Sequence, residues 1–114
     1  MTAAPLRPPK PAPVELAGLL ARIEQRLRPA EIWLFGSRAR GDHHHDSDWD
    51  VLAILPDDGL EALTDPVVAW EIACQSDVPA TLLATKRADL NAIWGVPNTL
   101  GYDLARDGVR LLVR

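Results

Sequence analysis

The sequence contains a single cysteine, Cys74, and this scarcity excludes two kinds of site. One thiol cannot form an intramolecular disulfide, and it cannot build a zinc site from cysteines alone. No stretch approaches the roughly 18 to 20 consecutive apolar residues that a bilayer span requires. The first residues also contain no apolar stretch of the signal-peptide type. These absences predict a cytoplasmic protein in a reducing setting, without a membrane partner.

Lysine and arginine are missing between Arg40 and Lys86, although the chain of 114 residues has 12 of them. The same interval carries ten carboxylates. The formal net charge of −4 argues against a protein that holds nucleic acid by broad electrostatic attraction. An acidic block of this length repels itself. It is interpreted as a solvated acidic surface, a divalent metal site or a surface for a basic protein partner.

The composition is that of one globular domain with a distinct beginning. Hydrophobic residues make up 47% of the chain and charged residues 25%, close to the averages for soluble domains. Half of the ten prolines fall within residues 1–13. Because proline fixes φ and lacks an amide donor, this segment is predicted to be an extended, flexible arm. Residues 14–114 are expected to form one domain.

The spacing of hydrophobic residues predicts alternating helices and strands. Leucine and isoleucine recur at helical spacing from residue 16 to 27, which predicts an amphipathic helix ending before Pro29. Short apolar runs predict buried strands over 32–35, 49–55 and 78–84. This order is typical of an α/β (α+β) fold, a small mixed β-sheet flanked by helices.

The second half of the chain carries a clear helix start at Asp65 and Pro66. Apolar residues nearly encircle the helix that follows, so it is predicted to be well buried through Cys74. The four tryptophans are interpreted as core or partner-interface residues: Trp33, Trp49, Trp70 and Trp94. The remaining predicted elements are a helix over 86–93, a helix capped by Asn98 that runs to Asp107, and a closing strand over 109–113.

Two short motifs carry the chemistry. A strand that ends at Gly36 and Ser37 and turns into a short helix presents unpaired amides and a hydroxyl, which together can cradle a phosphate. Asp48 and Asp50 follow after a spacer of ten residues. Side chains alternate along a strand, so both carboxylates are expected on one face. Two like charges so close are unfavourable, and a divalent cation with oxygen ligands relieves the repulsion.

This combination resembles the minimal nucleotidyltransferase domains of the DNA polymerase beta-like superfamily. Their signature is a hydrophobic residue, Gly-Ser, a spacer near ten residues, and then Asp-hydrophobic-Asp-hydrophobic. The chain matches it with Phe35, Gly36, Ser37, Asp48, Trp49, Asp50 and Val51. The segment 104–109 is also similar to the last helix and strand of that family, so the resemblance spans about residues 14–113.

The resemblance implies a role for each residue of the signature. Gly36 and Ser37 would hold the β- and γ-phosphates of a nucleoside triphosphate, expected to be ATP. Asp48 and Asp50 would be the catalytic carboxylates and would bind Mg²⁺. The reaction implied is in-line transfer of a nucleoside monophosphate to a hydroxyl, in which the protein mostly positions groups and stabilises charge.

Arg40 and the histidines between the two motifs allow more than one interpretation. Arg40 matches a position that is often basic in the family, where it is expected among the nucleotide-binding residues; alternatively it forms a structural ion pair with Asp42 or Asp46. His43–His45 fall in the variable spacer. Consecutive side chains do not converge easily on one ion, so these histidines are expected to be exposed loop residues.

One position departs from the family pattern. The family usually places a third carboxylate on the neighbouring strand, and Thr81 occupies the corresponding position here. Threonine is neither a base at neutral pH nor a strong Mg²⁺ ligand. Asp77 lies four residues earlier, about 13 Å away along an extended strand at about 3.3 Å per residue. It could replace the missing carboxylate only with a different strand register.

Three functions are therefore compatible with the sequence. Stand-alone members of this size are similar to the antitoxin of HEPN/MNT toxin–antitoxin pairs, in which AMP would be transferred to a hydroxyl, expected to be a tyrosine, of the HEPN toxin. A catalytically impaired binding module could instead neutralise the toxin by complex formation alone. An aminoglycoside nucleotidyltransferase is the third alternative, with a homo-oligomer supplying the cleft that one domain of this size lacks.

Overall fold

The computed structural model describes residues 7–112, which form a five-stranded mixed sheet with helices on both faces. The strands are β1 (Lys10–Pro11), β2 (Glu31–Phe35), β3 (Trp49–Leu55), β4 (Ala80–Lys86) and β5 (Val109–Leu112). The helices are α1 (Ala17–Leu27), α2 (Ser37–Arg40), α3 (Pro66–Ala73), α4 (Arg87–Ile93) and α5 (Leu100–Asp107), with 3₁₀ turns at Val14–Leu16 and Glu61–Thr64. This architecture confirms the predicted fold class.

The sheet has the order β1-β5-β2-β3-β4 and is buried on both faces at its centre. Along β3, Val51 and Ala53 belong to the apolar cluster that α1 and α3 cover, whereas Leu52 and Ile54 belong to the cluster under α4 and α5. A strand that is buried on both faces has a continuous apolar sequence. The apolar run at 49–55 therefore predicts β3 correctly. No helix within residues 7–112 is both long and apolar enough to cross a membrane.

The predicted first helix is confirmed. Its buried stripe consists of residues at helical spacing: Leu16, Leu19, Leu20, Ile23 and Leu27. The helix ends where Arg28 adopts a left-handed conformation with φ of 47°, directly before Pro29. Proline disfavours the helical conformation of the residue before it, so the chain leaves the helix at this point and enters β2.

The strand register places three sequence positions side by side at one end of the sheet. β2 and β3 are antiparallel, and Phe35 pairs with Asp50. β3 and β4 are parallel, and Asp50 pairs with Thr81. The turn after β2, the beginning of β3 and the beginning of β4 therefore meet at the same end of the sheet.

The prediction of a mobile arm over residues 1–13 does not describe residues 7–13. Lys10 and Pro11 pair in parallel with β5, and the Arg7 guanidinium donates hydrogen bonds to the carbonyls of Leu104 and Gly108 at 3.1 and 2.8 Å. An exposed strand edge attracts hydrogen-bond partners, and a carbonyl at the end of a helix can accept a second hydrogen bond. Residues 1–6 lie outside the described part of the chain.

The predicted burial of α3 is wrong on one side. Ala69 and Ile72 are buried against the sheet, but Trp70 is 66% exposed, and Cys74, which follows the helix, is exposed as well. α3 packs against β4, near the edge of the sheet, while Trp70 stays largely exposed. The N-cap prediction is confirmed, because the Asp65 carboxylate accepts a hydrogen bond from the Val67 amide in the first turn of α3.

Two predicted boundaries move by one or two residues. β4 begins at Ala80 rather than residue 78, because the Ser76 hydroxyl accepts the Val78 amide in a turn and Pro79 has no amide to donate. Thr99, not Asn98, is the N-cap of α5, and its hydroxyl accepts a long hydrogen bond of 3.4 Å from the Tyr102 amide.

Candidate functional site

The turn between β2 and α2 is built on Gly36. Its φ of 74° and ψ of −160° belong to a region that L-residues with a side chain avoid. The Gly36 carbonyl accepts hydrogen bonds from the Ala39 and Arg40 amides, both at 3.1 Å, which closes the single turn of α2. The first amides of a helix have no acceptor within it. The amides of Ser37 and Arg38 and the Ser37 hydroxyl are therefore brought together at the end of β2.

Gly36 lies directly against the Asp50 carboxylate. A Cβ atom placed on Gly36 would come within 2.1 Å of Asp50 Oδ2 and 3.3 Å of Asp50 Cβ. These distances leave no room for any side chain at position 36. The Gly-Ser turn and the aspartate motif thus form one site, and the missing side chain of Gly36 is what allows the carboxylate to sit against the turn.

The two aspartates are electrostatically coupled. Partial burial raises the pKa of Asp50, the nearby Asp48 carboxylate raises it further, and Arg40 opposes both by lowering it. Asp48 is exposed and immediately precedes β3. The site therefore concentrates negative charge that a bound cation would stabilise.

The donor set fits a magnesium–nucleotide complex. Carboxylate oxygens are preferred by Mg²⁺, which commonly takes one or two protein carboxylates and completes its shell with phosphates and water. Asp48 and Asp50 are such a pair, and Gly36 lies against Asp50. Within residues 7–112, no group of three or more His, Cys, Asp or Glu side chains is arranged to hold a metal ion.

Arg38 holds the loop that carries Asp48, a role that the sequence reasoning missed. Its guanidinium donates to the Ser47 carbonyl at 3.0 Å and to the His45 carbonyl at 3.1 Å. The same group stacks on the Trp49 ring, 4.4 Å from the ring centroid. The signal available in the sequence was an arginine next to the Gly-Ser turn and a tryptophan between the two aspartates.

Arg40 forms the structural ion pair that was one of its two interpretations, with Asp42 as the partner. Its Nε lies 3.2 Å from Asp42 Oδ2 in an exposed ion pair, while its charge also acts on Asp50. His43–His45 are exposed, and the His44 backbone forms a turn with Ser47, whose hydroxyl accepts the His44 amide at 2.8 Å. The histidines stand in the loop between the two motifs, as expected.

Thr81 lies beside Asp50 on the neighbouring strand and is exposed. Asp77 precedes β4 and does not pair with Asp50. It lines a surface cavity of about 490 Å³ together with Asp48, on the side of α3. The strand register thus brings a hydroxyl, not a third carboxylate, next to the two aspartates.

Comparisons with known proteins point to the same kind of site. The family model described as "Nucleotidyltransferase domain" matches residues 16–94. A crystal structure of a toxin–antitoxin with AMP-PNP is similar at a TM-score of 0.53 and 26% identity, over 83% of this chain and 73% of that one. No curated protein matches the sequence.

A second solved structure is similar to this chain in its fold. It is a candidate nucleotidyltransferase from Sulfolobus solfataricus, with a TM-score of 0.52 and 19% identity over 88% of this chain and 84% of that one. The fold is therefore shared with proteins of low sequence identity, and the arrangement of the site residues carries the chemical argument.

Proposed function

Because this chain belongs to the nucleotidyltransferase domain family, we propose that it is an antitoxin that binds ATP with Mg²⁺ and transfers AMP to a hydroxyl of its toxin. The observation that carries the proposal is the contact between Gly36 and Asp50, with Asp48 close by. This contact joins a phosphate-binding turn to a pair of carboxylates. A nucleoside triphosphate with its cation needs both.

Each residue of the site would have its own role in binding the nucleotide and its cation. The Gly36–Ser37 turn and the first amides of α2 would bind the terminal phosphates. Asp48 and Asp50 would hold Mg²⁺, which when bound offsets the negative charge of the triphosphate. Arg40 would contribute positive charge beside the same phosphates. Positioning and electrostatic stabilisation are the main contributions a protein makes to phosphoryl-group transfer.

The transfer itself exchanges one phosphorus–oxygen bond for another. The acceptor oxygen bonds to the α-phosphorus, and the bond between that phosphorus and the bridging oxygen of the β-phosphate breaks. Pyrophosphate leaves with the electron pair. The hydroxyl proton passes to water, because Thr81 stands where a carboxylate base would otherwise lie next to Asp50.

The acceptor is proposed to be a tyrosine of a HEPN toxin. One similar structure is that of a toxin–antitoxin with AMP-PNP, a nucleotide analogue. The toxin partner is proposed from this similarity. The HEPN class and the tyrosine follow from the resemblance to stand-alone minimal nucleotidyltransferases, and both belong to the proposal.

Thr81 favours a second candidate, a module that binds the nucleotide and the toxin without transferring AMP. A hydroxyl beside Asp50 does not accept a proton at neutral pH and is a weak Mg²⁺ ligand. The two candidates share the binding site and differ only in whether the acceptor is modified.

Incubation with ATP, Mg²⁺ and the protein encoded by the neighbouring gene distinguishes the two candidates. AMP transfer adds one adenylyl group to the intact mass of the partner, and we expect Asp48→Asn to abolish this addition. Asp46→Asn is the matched control, since it removes an exposed carboxylate two residues away and should leave the transfer intact.

The remaining outcomes of the experiment are equally informative. An unmodified partner in a stable complex supports the binding module, and in that case Thr81→Asp is expected to allow transfer. Transfer by Asp48→Asn at the rate of the unaltered protein would contradict the proposed site. If ATP with Mg²⁺ neither binds nor raises the melting temperature, the proposal of a nucleotide-binding protein is overturned.

A further inference from the structure

One side of α3 leaves apolar groups largely exposed to solvent. Val67 is 60% exposed, Trp70 is 66% exposed, and Cys74, just after the helix, is exposed. Their spacing of three and four residues places them on one side of the helix. We call these three residues the α3 face. Tryptophan is rarely left in water, and it is strongly enriched among the residues that dominate protein–protein interfaces.

The α3 face continues into the candidate site. Trp70 and Cys74 line the cavity of about 490 Å³ that also contains Asp48 and Asp77. A molecule that covers the α3 face would therefore extend to one of the two carboxylates of the site. This continuity ties the exposed side of α3 to the reaction that takes place next to it.

The carboxylates around the α3 face form no close ion pairs, although Arg22 Nη1 and Asp77 Oδ2 both lie 3.6 Å from the Cβ position of Gly18. Glu71 lies on α3 itself, while Asp48 and Asp77 border the cavity. None of the three takes part in an ion pair within residues 7–112. The face also belongs to the stretch between Arg40 and Lys86, which has ten carboxylates and no lysine or arginine. The surface therefore combines an apolar centre with an acidic rim.

We propose that the α3 face docks a basic amphipathic helix of the protein that receives AMP. The inference rests on the proposed function, since it names how the acceptor is held beside the site. Apolar side chains of that helix would cover Trp70 and Val67, and its lysines or arginines would face Glu71 and Asp77. Complementary charge of this kind steers association and selects the partner. A second copy of this chain is disfavoured, because it would bring two acidic rims together.

A pair of synthetic peptides tests the docking surface directly. One is an amphipathic helix of leucine, lysine and alanine with a single tyrosine; the other replaces each lysine by glutamate. A length of about 20 residues is chosen because shorter helices are marginal in water. Fluorescence polarisation of the dye-labelled peptides gives the affinity. We expect the lysine peptide to bind, its affinity to fall with added salt, and the glutamate peptide not to bind.

Tryptophan emission reports the contact itself. Trp33 and Trp49 are buried, at 1% and 7% exposure, whereas Trp70 is exposed to water. Covering Trp70 should shift the emission of the unlabelled protein to shorter wavelength. We expect Trp70→Phe to retain most of the peptide affinity but to lose this shift.

Three variants locate the surface. Trp70→Ala is expected to weaken binding of the lysine peptide by at least about tenfold, the range of a dominant interface residue. Glu71→Lys is expected to weaken it as well and to reduce its salt dependence. Leu60→Ala is the matched control, because Leu60 is 72% exposed and lies in the same acidic stretch, but not on α3. It should bind the peptide as the unaltered protein does.

Several results would overturn the docking proposal: equal binding of the two peptides, no loss in Trp70→Ala, or an equal loss in Leu60→Ala. Weaker ATP binding by Trp70→Ala in the absence of peptide would also overturn it, since Trp70 would then contact the nucleotide. Failure of the proposed function gives a different pattern. In that case the lysine peptide binds at the α3 face, but ATP with Mg²⁺ neither binds nor modifies the tyrosine of the peptide.

Discussion

A single glycine decides whether the two halves of the candidate site can meet. The Asp50 carboxylate occupies the space in which a side chain of residue 36 would lie, and the backbone there has a positive φ. Neither condition alone is unusual. Their combination makes Gly36 the residue whose replacement affects both the fold and the site, and it separates this turn from an ordinary surface turn.

Gly36→Ala is therefore expected to damage the protein more than replacement of Gly41, whose left-handed backbone is less restrictive for L-residues. The methyl group adds a collision with Asp50 to the cost of the positive φ, so we expect a loss of about 2 kcal/mol or more in the free energy of unfolding. ATP–Mg²⁺ binding should become undetectable. Urea unfolding and isothermal titration calorimetry measure the two effects.

Gly41→Ala is the control for this experiment. Gly41 has a φ of 87°, but nothing lies within 4 Å of the position of its Cβ. We expect a loss of about 1 kcal/mol from the backbone conformation alone, with nucleotide binding retained. Equal effects of the two replacements would mean that the contact with Asp50 has no role in the site.

At the level of secondary structure, α2 anchors the loop that delivers Asp48. The helix has a single turn and no buried residue of its own, so its stability comes from its contacts. Arg38 supplies the most specific ones, to the carbonyls of Ser47 and His45 and to the face of Trp49. The loop from residue 41 to 48 is thereby tied at its end, immediately before the first aspartate.

Arg38→Lys is expected to weaken ATP–Mg²⁺ binding by about tenfold, at the lower end of what loss of a supporting contact costs a metal site. Lysine keeps the positive charge, but it cannot donate in a planar fork to two carbonyls or stack on a ring in the same way. Calorimetric titration with ATP in the presence and absence of Mg²⁺ measures the change. A titration curve identical to that of the unaltered protein would disprove the anchoring role and favour a purely electrostatic one, because lysine preserves the charge.

A matched replacement checks that the effect is local. Arg26 is exposed on the last turn of α1, and Arg26→Lys makes the same chemical change away from the Asp48 loop. This variant should bind ATP as the unaltered protein does. The thermal unfolding curves of both variants should remain cooperative, so that a loss of binding in Arg38→Lys reports the loop rather than the fold.

On the scale of the whole molecule, the beginning and the end of the described chain are joined. Arg7 donates to the carbonyls at the end of α5 and lies over the rings of Trp33 and Trp94, 5.5 and 5.8 Å from their centroids. The Arg7 carbonyl in turn accepts a hydrogen bond from Arg110 on β5 at 2.9 Å. A cation at the end of a helix also complements the helix dipole.

An ionic cluster lies next to this junction and connects two strands with one helix. Glu31 on β2 is only 8% exposed and is paired with Arg87 of α4 and Arg110 of β5. The same carboxylate accepts a hydrogen bond from the Trp33 indole at 2.9 Å. Burial lowers the pKa of Arg87, and the charge of Arg110 lowers it further. The cluster closes the face of the sheet opposite α1 and α3.

Arg7→Ala is expected to reduce the free energy of unfolding by about 1 to 2 kcal/mol, since hydrogen bonds from a charged group contribute about this much and the freed carbonyls can bind water. The junction lies on the β5 side of β2, whereas the aspartates belong to β3 and the residue before it on the other side of β2, so ATP binding should not change. Lys10→Ala is the control, because β1 pairs through its backbone and the Lys10 side chain is exposed. Equal stability of the two variants in urea would show that Arg7 contributes nothing to the junction.

Local patterns in the sequence determined most of the secondary structure and the identity of the site residues. Helical spacing, the capping pair Asp65–Pro66 and the apolar run of β3 each express a property of neighbouring residues, so they can be read without knowing the fold. The same holds for the Gly-Ser turn and the aspartate pair. Assignments failed where distant parts of the chain decide the outcome: residues 7–13, which join β5, and the side of α3 that no described residue buries.

Only the tertiary structure decided which of these residues meet. Contact of Gly36 with Asp50 depends on the antiparallel register of β2 and β3, and Thr81 reaches Asp50 through the parallel register of β4. The loop contacts of Arg38 and the helix-end contacts of Arg7 join residues that share no periodic pattern. Periodicity along a chain indicates which side chains face a core. Strand register and the packing between elements determine which of those side chains are in contact.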